Sequence, residues 1–519
     1  MTVTRNSGGG LGRLALLAPV ALAVAACGSS GSAGSGGGGG THHPGPNTVN
    51  IALADDPSSL DPQAVEDGNA LAIYGNVAEP LVFRTAKDNK VTEGLATSWK
   101  SVDPKTWEFT LRKGVKFSDG EVFNADAVVF SIKRITDTNY KTEQSDWVGD
   151  ITGAKKVDDG TVDITTSDPD PTVPERMSLI MMVPPTASQN ADFATHPVGT
   201  GPYTMVSWSK GAKAVIQANP SYWGGKPAID KATFQPIKEP TIRLSSLKTG
   251  EINLVSDLLP EQMSQVPQSV KTPGLEYPTV ILNTRGGPFK DPNLRLAANY
   301  AIDKQALLSK LYSGFGSIAN CQLMGETSFG YNPDLKPYGF DLQKAKQLIQ
   351  QAGKPSITVE FVGDATGRWL KDAELEQAIQ GMLQDAGFTV NIKLADFSTY
   401  LKALFPDKND ATVARPDMVF VSHDNVLGDA DVTLSTYYQS TGSGASTSDP
   451  QMDTLIAQAR HELDSQKRLD LYHQINKMGC DNADFIFLFN LDNVYGTTSD
   501  LNWSPRFDAS IQVKSMSWK

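Results

Sequence analysis

Two serine–lysine pairs, Ser207–Lys210 and Ser245–Lys248, have the spacing used in serine acyl transfer. On a helix that spacing sets the lysine one turn from the serine, where it activates the hydroxyl. Ser207 lies in "TMVSWSKGAKAVIQA", whose period-two alternation reads as a hairpin. The nearby "KTG" shares Lys248 itself, whereas this chemistry needs a separate lysine brought in on another strand. The chain has no HExxH, no paired CxxC and no GxSxG elbow, and "GTGPY" at Gly199 lacks the lysine and hydroxyl of a phosphate loop. Six histidines leave little for acid–base or metal work, and the pair His42–His43 sits in a linker. We therefore expect no enzyme, cofactor or metal, with a serine-type cell-wall hydrolase as the contrasting alternative.

The cysteines carry more information. Cys27 follows an apolar run from Leu14 to Ala26, ahead of which stand Arg5, Arg13 and no acid. That run is shorter than the ~20 residues a membrane span needs and suits a signal-peptide core. Val24-Ala25-Ala26-Cys27 resembles a bacterial lipobox, so Cys27 is the expected lipidation site (palmitate-type acylation). Residues 28–40, almost all glycine and serine, then read as a flexible tether. Residues 1–26 are thus an expected lipoprotein signal peptide and 27–47 the lipidated tether. An extracytoplasmic location, anchored to the bacterial cell membrane, follows. Cys321 and Cys480 remain, an even pair in an oxidising compartment, and a disulfide is expected between them. The formal charge of −12 becomes −14 once Arg5 and Arg13 leave with the leader, which argues against nucleic acid as a partner.

The elements that would position a site alternate between periods two and 3.6. About 490 residues after the leader suffice for two or three lobes. "TVNIALADD" reads as a strand, and "WEFTLRKGVKFSDG" as a hairpin turning at Asp119-Gly120. "NADAVVFSIKRI" reads as a helix capped by Asn124, and "NLRLAANYAIDKQALLSKLY" as one long amphipathic helix. From Asp341 the order helix, "ITVEFVG", helix, "FTVNIKLA" predicts parallel strands in an α/β lobe.

Several ordered blocks then converge. "NVAEPLVF", "GLATSWKSVDPKTWEFTLRKGVKFSDGEVFNADAVVFSIKR", "HPVGTGPYTMVSW", "NPSYWGGKPAIDKATFQPI" and "GGPFKDPNLRLAANYAIDKQALL" together resemble the extracytoplasmic solute-binding proteins of family 5, which feed peptide and nickel ABC importers. The resemblance runs from about Val49 to the end. It implies an α/β periplasmic-binding-protein-like clamshell with an additional lobe and the ligand in an interlobe cleft. Lobe I would comprise 48–78, 196–283 and 487–519, the additional lobe II 79–195, and lobe III 284–486. A monomer that captures oligopeptides by hinge closure and hands them to an ABC permease is the implied function. An oligosaccharide, nickel or metal chelate on the same fold is the alternative.

Peptide binders of this family pair the peptide ammonium with an aspartate, usually in a Trp-x-x-Asp context after a strand. The matching stretch is "DMVFVSHDNVLGDADVTLSTYYQS", where His423 takes the tryptophan's place. Asp424 and Asp429 are the candidate partners, Asp431 the better fit to a helix cap near Val432, and His423 a candidate chelate contact. Asn69 and Tyr74 in "EDGNALAIY", and Trp147 in "SDWVGD", are further candidates. Arg368 and Trp369 follow the strand at Ile357 and so sit at a carboxyl edge, where Arg368 suits a peptide carboxylate.

Overall fold

The computed structural model describes residues 47–354, 356–406 and 415–519. The signal peptide, the lipobox at Cys27 and the tether lie outside the described residues. Three sheets organise the rest. An eight-stranded mixed sheet runs in the order Gln268–Pro273, Phe489–Thr497, Leu254–Val255, Thr48–Leu53, Lys231–Pro236, Lys213–Ala218, Tyr203–Ser209, with Gly316–Ile318 added on Phe489–Thr497. A five-stranded sheet runs Phe388–Ala395, Ile357–Asp364, Met418–Asp424, Glu276–Leu282, Phe485–Phe487. A four-stranded antiparallel sheet holds Ala96–Asp103, Thr106–Leu111, Thr161–Thr166 and Ile151–Asp158.

Ile357–Asp364 and Phe388–Ala395 pair in parallel across the helix Asp372–Ala386, as the element order predicts. Both strands feed a core that includes Val359, Phe361, Ile379 and Phe420. Asn124 caps Ala125–Thr136 by accepting from the Asp126 and Ala127 amides.

The other expectations need correction. The turn at Asp119-Gly120 forms, with Gly120 at φ 96°, yet it closes only a single bridge between Lys116 and Val122. Thr106–Leu111 pairs instead with Ala96–Asp103 and Thr161–Thr166, which bury Phe109. The long helix breaks into Pro292–Ala301 and Lys304–Leu311, because Asp303 turns out of the first and caps the second through the Ala306 amide.

The chain passes between the two larger sheets over very short connections. Only Gly274 and Leu275 separate Gln268–Pro273 from Glu276–Leu282, and only Leu488 separates Phe485–Phe487 from Phe489–Thr497. A Cβ on Gly274 would stand 2.7 Å from Asn493 Oδ1 and 2.9 Å from Leu491 O, so this crossing leaves no room for a side chain. Glu276–Leu282, grouped with lobe I by sequence, is hydrogen-bonded within the five-stranded sheet. Gly316–Ile318, grouped with lobe III, extends the eight-stranded sheet. Connections of one or two residues carry no change of composition that a boundary could be read from. Cys321 and Cys480 form a disulfide, with 5.2 Å between their Cα atoms. Among the described residues no helix is long and apolar enough to cross a membrane.

Candidate binding cleft

Beside the two crossings, the ends of two antiparallel strands set acids against each other. Glu276 opens its strand and Asp424 closes the neighbouring one, and the register makes them direct partners. Like charges opposite one another destabilise a sheet, so this pairing is unfavourable unless something cationic arrives. Ser422 Oγ donates to Glu276 Oε1 at 2.7 Å, whereas Asp424 meets no cation within ion-pair distance among the described residues. Asp424 is exposed at the end of its strand, beside the cleft-lining Glu276, with protein packed around it. That enclosure raises its pKa, against the opposing pull of a backbone hydrogen bond and of Arg368.

A third carboxylate arrives from the loop Leu60–Glu66. Asp61 is held by Arg134 at 2.5 Å, and buried Gln144 donates to the Pro62 carbonyl at 3.1 Å and the Val65 carbonyl at 2.8 Å. The loop is thereby pinned, and Glu66 Oε1 accepts from Trp147 Nε1 at 3.2 Å. Burial lifts the Glu66 pKa to about 7, with the charge of Asp424 the next cause. Glu66 and Asp424 are therefore near enough, from different parts of the chain, for one charge to act on the other. Asp257 lines the cleft with Glu276 and Asp492, in the left-handed region at φ 54° with its carbonyl tied to Arg243.

Arg368 is the one cation on this wall, placed as expected past the end of Ile357–Asp364. Its guanidinium lies 4.8 Å over the Phe397 ring and 5.9 Å from that of Trp369, with no carboxylate within ion-pair distance among the described residues. Trp369 turns edges toward Tyr400 and Phe420, so its ring is half-buried packing as well as cleft wall. Asn69 lines the same cleft, with its amide tied to the cap residue Asp67 at 3.3 Å. The cleft has a volume of about 340 Å³, within the range of small-molecule sites.

The remaining candidates sit elsewhere. Asp429 is 1% exposed and caps the helix Ala430–Tyr437, which starts two residues before the expected Val432. Its Oδ1 holds Arg468 at 2.6 Å and Tyr472 Oη at 3.2 Å, a buried ion pair that ties this carboxylate to the chain's own residues. The cap expected of Asp431 thus belongs to Asp429, and Asp431 is buried near Arg176 at 3.9 Å. His423 is buried between the Tyr277 and Tyr437 rings, and burial lowers its pKa to about 4, so its imidazole is neutral. Tyr74 is packed with Val65, Ala70, Ala78 and Met181. Trp147 is 8% exposed and borders a second cavity. Counting three residues past His423 reaches Val426, so the aspartate of the peptide-binder pattern is apolar here and Asp424 stands nearest to replace it.

Ser207 lies on the strand Tyr203–Ser209, and the Ser245 hydroxyl donates to the Thr241 carbonyl while Lys248 bonds Gln265. Neither pair has nucleophile geometry. Asp257, Glu276 and Asp492 are the acids of the wall that sequence reading misses, and Glu66 is a further acid near Asp424.

Comparison with known proteins places this geometry in context. The family model described as "Bacterial extracellular solute-binding proteins, family 5 Middle" matches residues 90–445. The glutathione-binding protein GsiB of Pectobacterium atrosepticum is 28% identical over 460 residues, covering 84% of this chain and 87% of the relative. The dipeptide-binding protein of Escherichia coli K12 is 27% identical over 476 residues, covering 82% and 86%. Among solved structures, DppA of Helicobacter pylori in complex with the peptide STSA superposes with a TM-score of 0.72 at 25% identity, covering 91% of this chain and 98% of that one. NikA of Brucella suis with Fe(III)-EDTA gives a TM-score of 0.79 at 25% identity, covering 91% and 100%.

Proposed function

From the premise that this chain belongs to the family 5 bacterial extracellular solute-binding proteins, extracytoplasmic binding components of ABC importers and not enzymes, we propose that its solute is a short oligopeptide. The observation that carries this reading is the pairing of Asp424 with Glu276 across the ladder, with Glu66 near enough to feel the Asp424 charge and no cation within ion-pair distance of Asp424 among the described residues. Such a wall is complementary to a peptide α-ammonium, which satisfies the acids and is itself satisfied. Arg368, bare of carboxylates, suits the peptide's terminal carboxylate. A cleft of about 340 Å³ favours few residues over many. The two short crossings at Gly274-Leu275 and Leu488 are the natural hinges for closure on the guest.

Capture as a monomer, anchored through acylated Cys27 and the tether 28–40, completes the reading. Lobes at about 48–78 with 196–283 and 487–519, 79–195, and 284–486 belong to it, the second boundary shifted to the crossing at 274–275. The test is native mass spectrometry of the chain as isolated and after unfolding and refolding. Carried-over masses forming a peptide ladder, lost on refolding, are expected. A single discrete non-peptide mass or a bound metal overturns the peptide assignment. Release of a Cys27→Ser variant into the medium tests the anchor.

A further inference from the structure

A second cavity, of about 130 Å³, lies behind the helix Gly68–Tyr74. The partition is one element thick. Gly68, Asn69 and Ala72 face the cleft, whereas Leu71 and Gly75 face the cavity. The segment 508–512 alternates likewise: Asp508, Ser510 and Gln512 line the cavity, and Ala509 and Ile511 line the cleft. Leu275 and Glu276 divide in the same way. The cavity is walled chiefly by Leu71, Phe83, Leu179, Met181 and Leu275, and Trp147, which bonds Glu66, borders it.

Arg84, Arg506 and Lys514 stand on its wall with Glu79 and Asp508. Lys514 Nζ lies 4.7 Å over the Phe83 ring and 3.5 Å from Tyr222 Oη, with no carboxylate within ion-pair distance among the described residues. Arg84 ends on neutral acceptors, Ser178 Oγ at 2.6 Å and the Val426 carbonyl at 2.7 Å. The acids nearby are already engaged. Glu79 accepts from Thr200 at 2.9 Å and from Tyr222 and Trp223, both at 2.8 Å, and Asp508 holds Arg506 at 2.6 Å. Lys514 is half-buried and feels the charge of Glu79 without ion-pair contact among the described residues, so an anion that reaches its Nζ relieves the cost of that burial. An apolar cavity of about 150 Å³ accepts a benzene-sized guest.

We infer that this cavity is a second pocket of the binding site, taking a guest group with a short apolar stem and a terminal carboxylate, with Lys514 as the counter-charge. The inference rests on the reading of the chain as a cleft binder and names a chemical class that the cleft alone does not. Residues of the partition set it apart from the acid wall, so a carboxylate held here stands clear of those acids.

The test uses hexanoate as the probe, with 1-hexanol and hexylammonium as matched controls, titrated into the purified chain by calorimetry. Hexanoate is expected to bind at least tenfold tighter than either control. Lys514→Met should erase that preference, and Leu71→Trp should block the stem without touching the charge, with circular dichroism verifying both folds. Equal affinity for acid and alcohol, no hexanoate binding, a preference that survives Lys514→Met, or one lost in Arg368→Gln instead, each overturns the inference. A parallel titration with Ala-Ala-Ala reports on the peptide reading separately. Its failure leaves the hexanoate result standing, and hexanoate failure with tripeptide binding intact sinks only the second pocket.

Discussion

The cleft in front of the helix Gly68–Tyr74 and the cavity behind it share a wall but differ in how their charges are satisfied. In front, Asp424 has no cation within ion-pair distance among the described residues, and two further acids stand near it. In the structural cluster around Asp429, by contrast, acid and base are paired, with Arg468 at 2.6 Å and Tyr472 close by. Both hold aspartates from the stretch 424–431, Asp424 exposed at a strand end and Asp429 buried. The difference is that one aspartate is satisfied by the chain's own residues and the other is left for a guest. Paired buried charges hold a fold together, and unpaired ones mark where something else must bind.

Removing the unpaired charge tests this most severely. Asp424→Asn keeps the shape and discards the counter-ion, and short-peptide affinity is expected to fall about 100-fold in calorimetry, as for a lost hydrogen bond to a charged group of about 3 kcal/mol. Thermal stability should stay level or rise. Asp429→Asn should do the opposite, leaving Arg468 buried without its partner and lowering stability by about 3 kcal/mol in urea unfolding. If Asp424→Asn proves the more destabilising of the two, the contrast fails. Next in size, Arg368→Gln should weaken peptides with a free carboxylate about tenfold and leave C-terminal amides unchanged.

These pairs also show what the chain alone reveals. Asp424, Arg368 and Trp369 are legible because each follows a strand whose periodicity is plain, and a strand end is a known place for a ligand. Asp429 misleads because its role depends on Arg468, 39 residues on and on another helix. Glu66 is invisible because its position is set by Gln144 and Trp147, about 80 residues away in the chain. Glu276 reads as an ordinary first residue of a strand until the register sets Asp424 beside it. The break at Asp303 is different, since "DKQA" carries a cap signal that the apolar period overrode. Local chemistry was readable, and pairings across long loops were not.

A smaller effect sharpens the contrast through pH. Burial and Asp424 lift the Glu66 pKa to about 7, above the model-peptide value, so folding favours its protonated form. That contribution to apo stability is complete below about pH 4.5 and is lost as pH rises through about 7. An ammonium guest reverses the preference, because it binds the ionised form and releases the proton. Peptide affinity should therefore rise between pH 5.5 and 7.5, about threefold once screening by cleft water is allowed for. Glu66→Gln should flatten the profile. A flat profile in the parent chain would remove Glu66 from the acids around Asp424.

The smallest expected effect is the most diagnostic, because it separates binding from folding within one side chain. Glu276 faces Asp424 across the ladder, and like charges so placed destabilise a sheet by ~0.2–1 kcal/mol. Glu276→Gln removes that repulsion while keeping an oxygen for the Ser422 hydroxyl. The apo chain should then be stabilised by about 0.5 kcal/mol in urea unfolding at pH 7.5, while peptide affinity drops severalfold. A residue that only packs the strand end would lose stability on substitution, and one that only binds would leave stability unmoved. Opposite signs on the two axes are what an acid held in unfavourable company for a cationic guest must give.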